Sequence, residues 1–321
     1  MQSVTLILFF VYDSILFGDR IMNRQLKGNL AIIIATIIWG STFVAQSIGM
    51  DHIGPFTFQA ARCLLGGLVL LPIIAVADRF LYRGDGSNYF SRWCNPKLWK
   101  AGLFCGLPLF IATNLQQLGI VDTDAGKSAF LTAMYIVFVP IISIFLGQKP
   151  SKMIPVSVVL GIAGLYCLSC VGVSGIAKGD LLLLCCAVAF AIQIIVVDRL
   201  GSQVDSLRLN CISAFLCAVL SGIVMFFTEE PSWDAVRSCS GSIAYAGILS
   251  MGIAYSLQNI GQKYIESSTA SLLMSAESVF AVLAGWVVLK ERLSLWEGIG
   301  CILVFAAVVL SQLPEKKKVK M

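Results

Sequence analysis

Charge is scarce in this 321-residue sequence: Asp, Glu, Lys and Arg together make up 13% of it, against about a quarter of a typical soluble domain. A water-soluble fold is excluded, because the polar helix faces it needs cannot be built from so few polar residues. Histidine is nearly absent as well. His52 stands alone, so the His and acid cluster of a metal-dependent hydrolase is missing, and no metal or cofactor is expected. There is no Gly-x-Ser-x-Gly elbow for acyl transfer and no complete phosphate-binding loop for ATP. No ring of charges or filter-like stretch marks a channel. The eleven cysteines are an odd number lying mostly inside apolar stretches, where they act as small hydrophobes, and Cys167 and Cys170 are read as helix packing. The net charge of +5 is spread between apolar runs and the C-terminus, so no basic stripe points to a nucleic-acid partner.

What is present is apolar length. Hydrophobic residues make up 58% of the chain, and mean hydropathy is +0.86. Runs of about 18 or more apolar residues recur, enough to cross a ~30 Å hydrocarbon layer. They lack strand-like alternation, and lipid admits only helices or closed barrels. The fold class expected is therefore an all-α integral membrane protein. Ten transmembrane helices are placed at 30–48, 56–77, 98–118, 128–146, 154–171, 181–197, 209–227, 243–260, 270–289 and 296–313. With the first loop inside, 17 Lys and Arg fall on inner segments and 5 on outer ones, Arg62 lying within a span. By the positive-inside rule both termini are cytoplasmic. The stretch 4–17 is apolar but short for a span and carries Asp13, so Met22 is read as the native start and the preceding residues as an extension.

The spans repeat. Those of the second half begin 142 to 153 positions after their counterparts, and Gly28-Asn29-Leu30 matches Gly179-Asp180-Leu181. Trp39 falls on Phe190. Five spans per copy is an odd number, so the second copy enters the membrane from the opposite side. Inverted repeats are the architecture of secondary transporters, which bind their solute near the midplane between the halves and rock to alternate access. The domains expected are an N-terminal segment 1–27, five-helix repeats at 28–172 and 179–313, and a basic cytoplasmic tail at 314–321.

Several segments resemble a known family. Trp39-Gly40-Ser41-Thr42-Phe43 in the first span and Arg62 in the second are followed by 114–119, Ala125-Gly126-Lys127 and Phe130-Leu131-Thr132. The run 271–293 adds Ala276-Glu277-Ser278-Val279-Phe280 and Leu289-Lys290-Glu291-Arg292-Leu293. In order and spacing these are similar to the drug/metabolite transporter superfamily, EamA-domain type. The resemblance implies a ten-helix transporter of a bacterial plasma membrane that exports amino acids or related metabolites without ATP hydrolysis. The turn after the fourth span reads Gly147-Gln148-Lys149 where that family commonly carries Gly-Glu; Glu291 keeps the acid in the second half. The competing classes are a channel and an intramembrane lipid-modifying enzyme, separable by saturable flux or by product formation.

Two charges lie deepest. Arg62 and Glu277 stand 6 and 7 residues into their spans, about 10 Å at 1.5 Å per residue. A charge at depth costs about 2.5–3.5 kcal/mol on insertion scales and needs a cavity, a partner or water. Arg62 suits a substrate carboxylate, and Glu277 an amino group or a coupling proton; a structural ion pair is the plainer alternative. Trp39 and Phe43, four apart on one helix face, are expected to wall a cavity. Asn114, Gln116, Tyr135, Gln193 and Gln258 complete the nine candidates, with Tyr255 and Asn259 in the same aromatic and amide group, against a plainer role in interhelical hydrogen bonding.

Overall fold

A computed structural model describes residues 24–81, 89–148, 151–169, 178–288 and 294–312. The N-terminal stretch with Met22, the Glu291 turn and the basic tail lie outside the described residues, as do Lys149 and Cys170. The described residues form helices, turns and bends without a strand, as lipid requires of a chain that must satisfy its own backbone.

The first half runs α1 (Arg24–Met50), α2 (Pro55–Leu81), the short α3 (Tyr89–Trp93), α4 (Pro96–Val121), α5 (Ala125–Ala133), α6 (Tyr135–Phe145) and α7 (Ile154–Ser169). The second runs α8 (Lys178–Val196), α9 (Ser206–Thr228), short α10 (Trp233–Ser238) and α11 (Ser240–Ala244), α12 (Tyr255–Gly261), α13 (Ser267–Ser275), α14 (Glu277–Val288) and α15 (Leu295–Ser311). Two π-helical stretches interrupt it, at Val197–Gly201 and Tyr245–Ala254.

Among the described residues, seven helices are long and apolar enough to cross a membrane. Ile154–Cys167 and Leu295–Ser311 are apolar but shorter, and the segment expected at 243–260 is not one α-helix but α11, the π-helical stretch and α12 in succession. Two spans are broken. One pauses at Met134 between α5 and α6, the other at Ala276 between α13 and α14.

Local chemistry sets the ends. Pro96 follows the Asn95 cap, whose side chain accepts from Lys97 N, and Asp205 caps α9 through Arg208 N, each satisfying an orphan N–H. Ser294 and Glu297 form a reciprocal capping box on α15. Gly147, at φ +81°, closes α6 with Gly147 N–Ile144 O and Gln148 N–Ser143 O bonds of 2.9 Å each; the left-handed conformation is why glycine sits there. The neighbouring glutamine has a reason too. Gln148 Nε2 donates to Asp198 Oδ2 at 3.3 Å, a contact a glutamate would turn into repulsion.

The helices pair between halves. α7 packs along α15, α2 along α9, and α4 along α8, while α1 lies against α14, α12 and the π-helical stretch. Glycines set the closest approaches. A Cβ on Gly119 would come 3.1 Å from Gly179 O and 2.5 Å from Leu183, and one on Gly261 would come 2.9 Å from Gly28 O and 2.6 Å from Ile32. Outward faces carry exposed apolar residues such as Phe104, Ile144, Val159 and Phe226, the surface a bilayer covers.

Candidate functional site

A cavity opens between the halves, about 430 Å³ of empty space counting its mouth. Eight of the nine candidates line it: Trp39, Phe43, Arg62, Gln116, Tyr135, Gln193, Gln258 and Glu277. Asn114 is the exception. Its Nδ2 donates to Phe110 O at 2.8 Å and to Ser221 Oγ at 2.9 Å, so it ties α4 to α9 instead.

α1 supplies one wall. Trp39, Thr42, Phe43 and Gln46 recur at helical spacing and face inward together. Gly40 seats this wall: a Cβ there would meet Phe280 Cβ at 2.4 Å and Glu277 O at 2.6 Å, so α1 lies directly on the start of α14. Trp39 meets Tyr255 with ring centroids 5.0 Å apart, and Tyr135 meets Phe190 edge-on at 6.5 Å. These geometries suit aromatic pairs.

Both deep charges are partnered. Glu277, 5% exposed, accepts a hydrogen bond from Tyr135 OH at 2.9 Å, and its place in the first turn of α14 sets its charge against the positive end of that helix. Arg62, 1% exposed, donates through Nη1 to Gln46 Oε1. The two charges do not form an ion pair with each other among the described residues; both line the cavity, each with a neutral partner.

The amides form a chain. Gln258 Nε2 donates to Gln193 Oε1 at 3.2 Å and to Gln262 Oε1 at 2.9 Å, and Gln262 Nε2 donates to Ile194 O. Gln116 reaches Thr132 Oγ1 at 3.5 Å. Three buried polar atoms of the lining lack a partner among the described residues: the donors Trp39 Nε1 and Arg62 Nε, and the acceptor Gln258 Oε1. Buried polar atoms are normally satisfied, so these three stand out in the lining.

Gln46, Ser250 and Met274 line the cavity without being singled out by the sequence. Gln46 was discoverable, since it lies seven residues after Trp39 on the same helix face. Ser250 and Met274 carry no such signal.

The lining also repeats. Trp39 and Phe190, Thr42 and Gln193, and Phe43 and Ile194 are each 151 positions apart; Gln116 and Gln258, Thr132 and Met274, and Tyr135 and Glu277 are each 142 apart. Arg62, Gln46, Ser250 and Tyr255 have no such counterpart in the lining.

Among known proteins, the model of the EamA-like transporter family matches the chain twice, at residues 26–170 and 177–313. An uncharacterized transporter of Archaeoglobus fulgidus is 28% identical, covering 90% of this chain and 87% of its own. The uncharacterized transporter YoaV of Bacillus subtilis is 24% identical over 89% and 97%, and the uncharacterized inner membrane transporter YedA of Escherichia coli K12 is 25% identical over 88% and 89%. A crystal structure of 21% sequence identity shares the fold with a TM-score of 0.70, covering 89% of this chain and 96% of that one.

Proposed function

This chain belongs to the EamA-like transporter family, and we propose that it is a secondary transporter that exports an amino acid or a related small metabolite by alternating access. Helical throughout its described residues, it is a multi-pass membrane protein of a transporter family. The observation that carries the proposal is the cavity between the halves, lined by an acid and a base held apart by neutral partners. A zwitterion suits this lining. A carboxylate would accept from Arg62 Nε and Trp39 Nε1, and an ammonium group would donate to Glu277 and Gln258 Oε1, with Phe43, Tyr135, Phe190 and Tyr255 as the apolar walls.

In this reading the ten helices form two five-helix repeats of opposite orientation, 28–172 and 179–313. Three relations support it. The two broken spans pause at Met134 and Ala276, 142 positions apart. The close approach of Gly119 to Gly179 has its counterpart in that of Gly261 to Gly28, Leu183 standing to the first as Ile32 does to the second. The cavity draws corresponding positions from both halves. Broken helices at the junction of inverted repeats are where transporters of this architecture bind solute.

Both termini are cytoplasmic in this reading, as the 17 inner against 5 outer basic residues support. Opening either face requires parting a contact between halves. At the outer end Lys127 Nζ meets Asp180 Oδ2 at 2.7 Å, and at the inner end Arg208 meets Asp78. Glu277 is the candidate for proton coupling. It is the acid of the cavity, and its Tyr135 contact can be exchanged for a proton or a substrate amine.

Counterflow in proteoliposomes tests the proposal. Vesicles loaded with one unlabelled solute from a panel of amino acids and amphiphiles are expected to accumulate trace label of one class, and Glu277→Gln to lose coupling to a pH gradient. Absence of saturable exchange across the whole panel would overturn the carrier reading.

A further inference from the structure

The eighth span is wound differently from its neighbours. Over Tyr245–Ala254 it is a π-helix, and at its end the Tyr255 N–H bonds Ser250 O, five residues back. From Tyr255 to Gly261 the α-helical ladder resumes. Where a five-back ladder hands over to a four-back one, the helix has one carbonyl more than it has N–H donors. Away from water that carbonyl needs a donor from elsewhere.

The donor comes from α9. Asn210, 1% exposed, places Nδ2 at 2.8 Å from Met251 O, 3.1 Å from Gly252 O and 2.9 Å from Ser256 Oγ. Ser256 Oγ in turn donates to Gly252 O at 2.7 Å. One amide therefore serves the carbonyls at the handover. Asn210 does not itself line the cavity, but the turn it holds leads directly into Tyr255, which packs on Trp39, and Gln258, which lines the cavity beside Gln193. The same stretch also rests on α2, since a Cβ on Gly247 would come 2.9 Å from Arg62 O.

We propose that Asn210 is a positioning residue of the transport site, holding the π-helical register that turns Tyr255 and Gln258 into the cavity. One residue of register rotates a helix position by about 100°. Without the wide turn, both side chains swing out of the site while the α-helix below stays intact. π-helical geometry inside α-helices is found frequently at functional sites, and here the amide that serves the end of one such stretch is identified.

The inference rests on the transport reading, so two measurements separate them. In counterflow, Asn210→Ala is expected to raise KM about tenfold, the size of losing one well-placed hydrogen bond, with Vmax little changed. Asn210→Ser, which keeps one donor, recovers part of that affinity. Wild-type KM in Asn210→Ala, or equal values for Ala and Ser, would overturn the proposal. Independently of transport, Trp39→Cys and Tyr255→Cys, introduced on a background without the native cysteines and joined by a short bifunctional thiol reagent, are expected to cross-link with Asn210 present and to lose most of that yield in Asn210→Ala, read by intact mass against the two single-cysteine controls. Unchanged yield overturns the positioning role. A wild-type protein that exchanges no solute overturns the transport reading, and the cross-link then decides Asn210 alone.

Discussion

Tyr135 and Glu277 stand 142 positions apart and are joined by a hydrogen bond of 2.9 Å. Each is the first residue after the pause in its own broken span, so corresponding positions of the two halves touch where the cavity is polar. The contact sets a phenol against a carboxylate, unlike groups at corresponding positions of the two halves.

Removing the phenol should cost less than removing the carboxylate. Tyr135→Phe loses one hydrogen bond to a charged group, about 1.5–3 kcal/mol if the acid stays ionised, and is expected to retain saturable exchange at reduced affinity. Glu277→Gln keeps the volume and should remain folded while losing response to a pH gradient. Equal effects of both substitutions on coupling would show that the acid has no separate role.

The glycine contacts predict stability in detergent. Gly40→Ala places a methyl 2.4 Å from Phe280 Cβ and 2.6 Å from Glu277 O, and overpacking of this kind costs about 1–3 kcal/mol. Gly126→Ala meets nothing within 4 Å on a helix and should be neutral or stabilising by up to about 1 kcal/mol. Thermal midpoints in one detergent give the comparison; a lower midpoint for Gly126→Ala than for Gly40→Ala would contradict the packing.

Sided labelling tests the two ion pairs. With a reporter at Ser250→Cys in the cavity, Asp180→Asn should raise its reactivity to an impermeant maleimide from the Lys127 end, and Asp78→Asn from the opposite end. The charge swap Lys127→Asp with Asp180→Lys should restore the parent rate. Identical sidedness for the two Asp variants would refute a separate closure at each face.

Lys263, in the turn after α12, donates Nζ to Val204 O at 2.6 Å. Partial desolvation of its ammonium lowers its pKa below the ordinary lysine value, with Asp205 opposing. The unfolded chain therefore binds the proton more tightly than the folded one, and stability rises as pH increases from the depressed folded pKa toward the unfolded value. Lys263→Arg, which stays charged throughout, should flatten that rise in a pH series of thermal midpoints. A parent profile as flat as the variant's would mean the ammonium is better solvated than this desolvation implies.

The sequence alone determined the solvent and the helical character of the apolar runs, because length and apolarity of a run decide whether it enters lipid, whatever its neighbours are. It also located Trp39, Arg62, Tyr135 and Glu277, residues whose polarity or bulk is costly in a bilayer and so marks them out. Which side of a helix looks inward was another matter. Asn114 and Gln116 lie two residues apart on α4, yet one bonds Ser221 and the other lines the cavity. In water a helix declares its buried face by leaving charges on the other; in lipid both faces are apolar, and only packing against specific neighbours assigns them. The π-helical turn held by Asn210 was hidden for the same reason, since its donor arrives from a helix that is distant in sequence and adjacent only in the folded molecule.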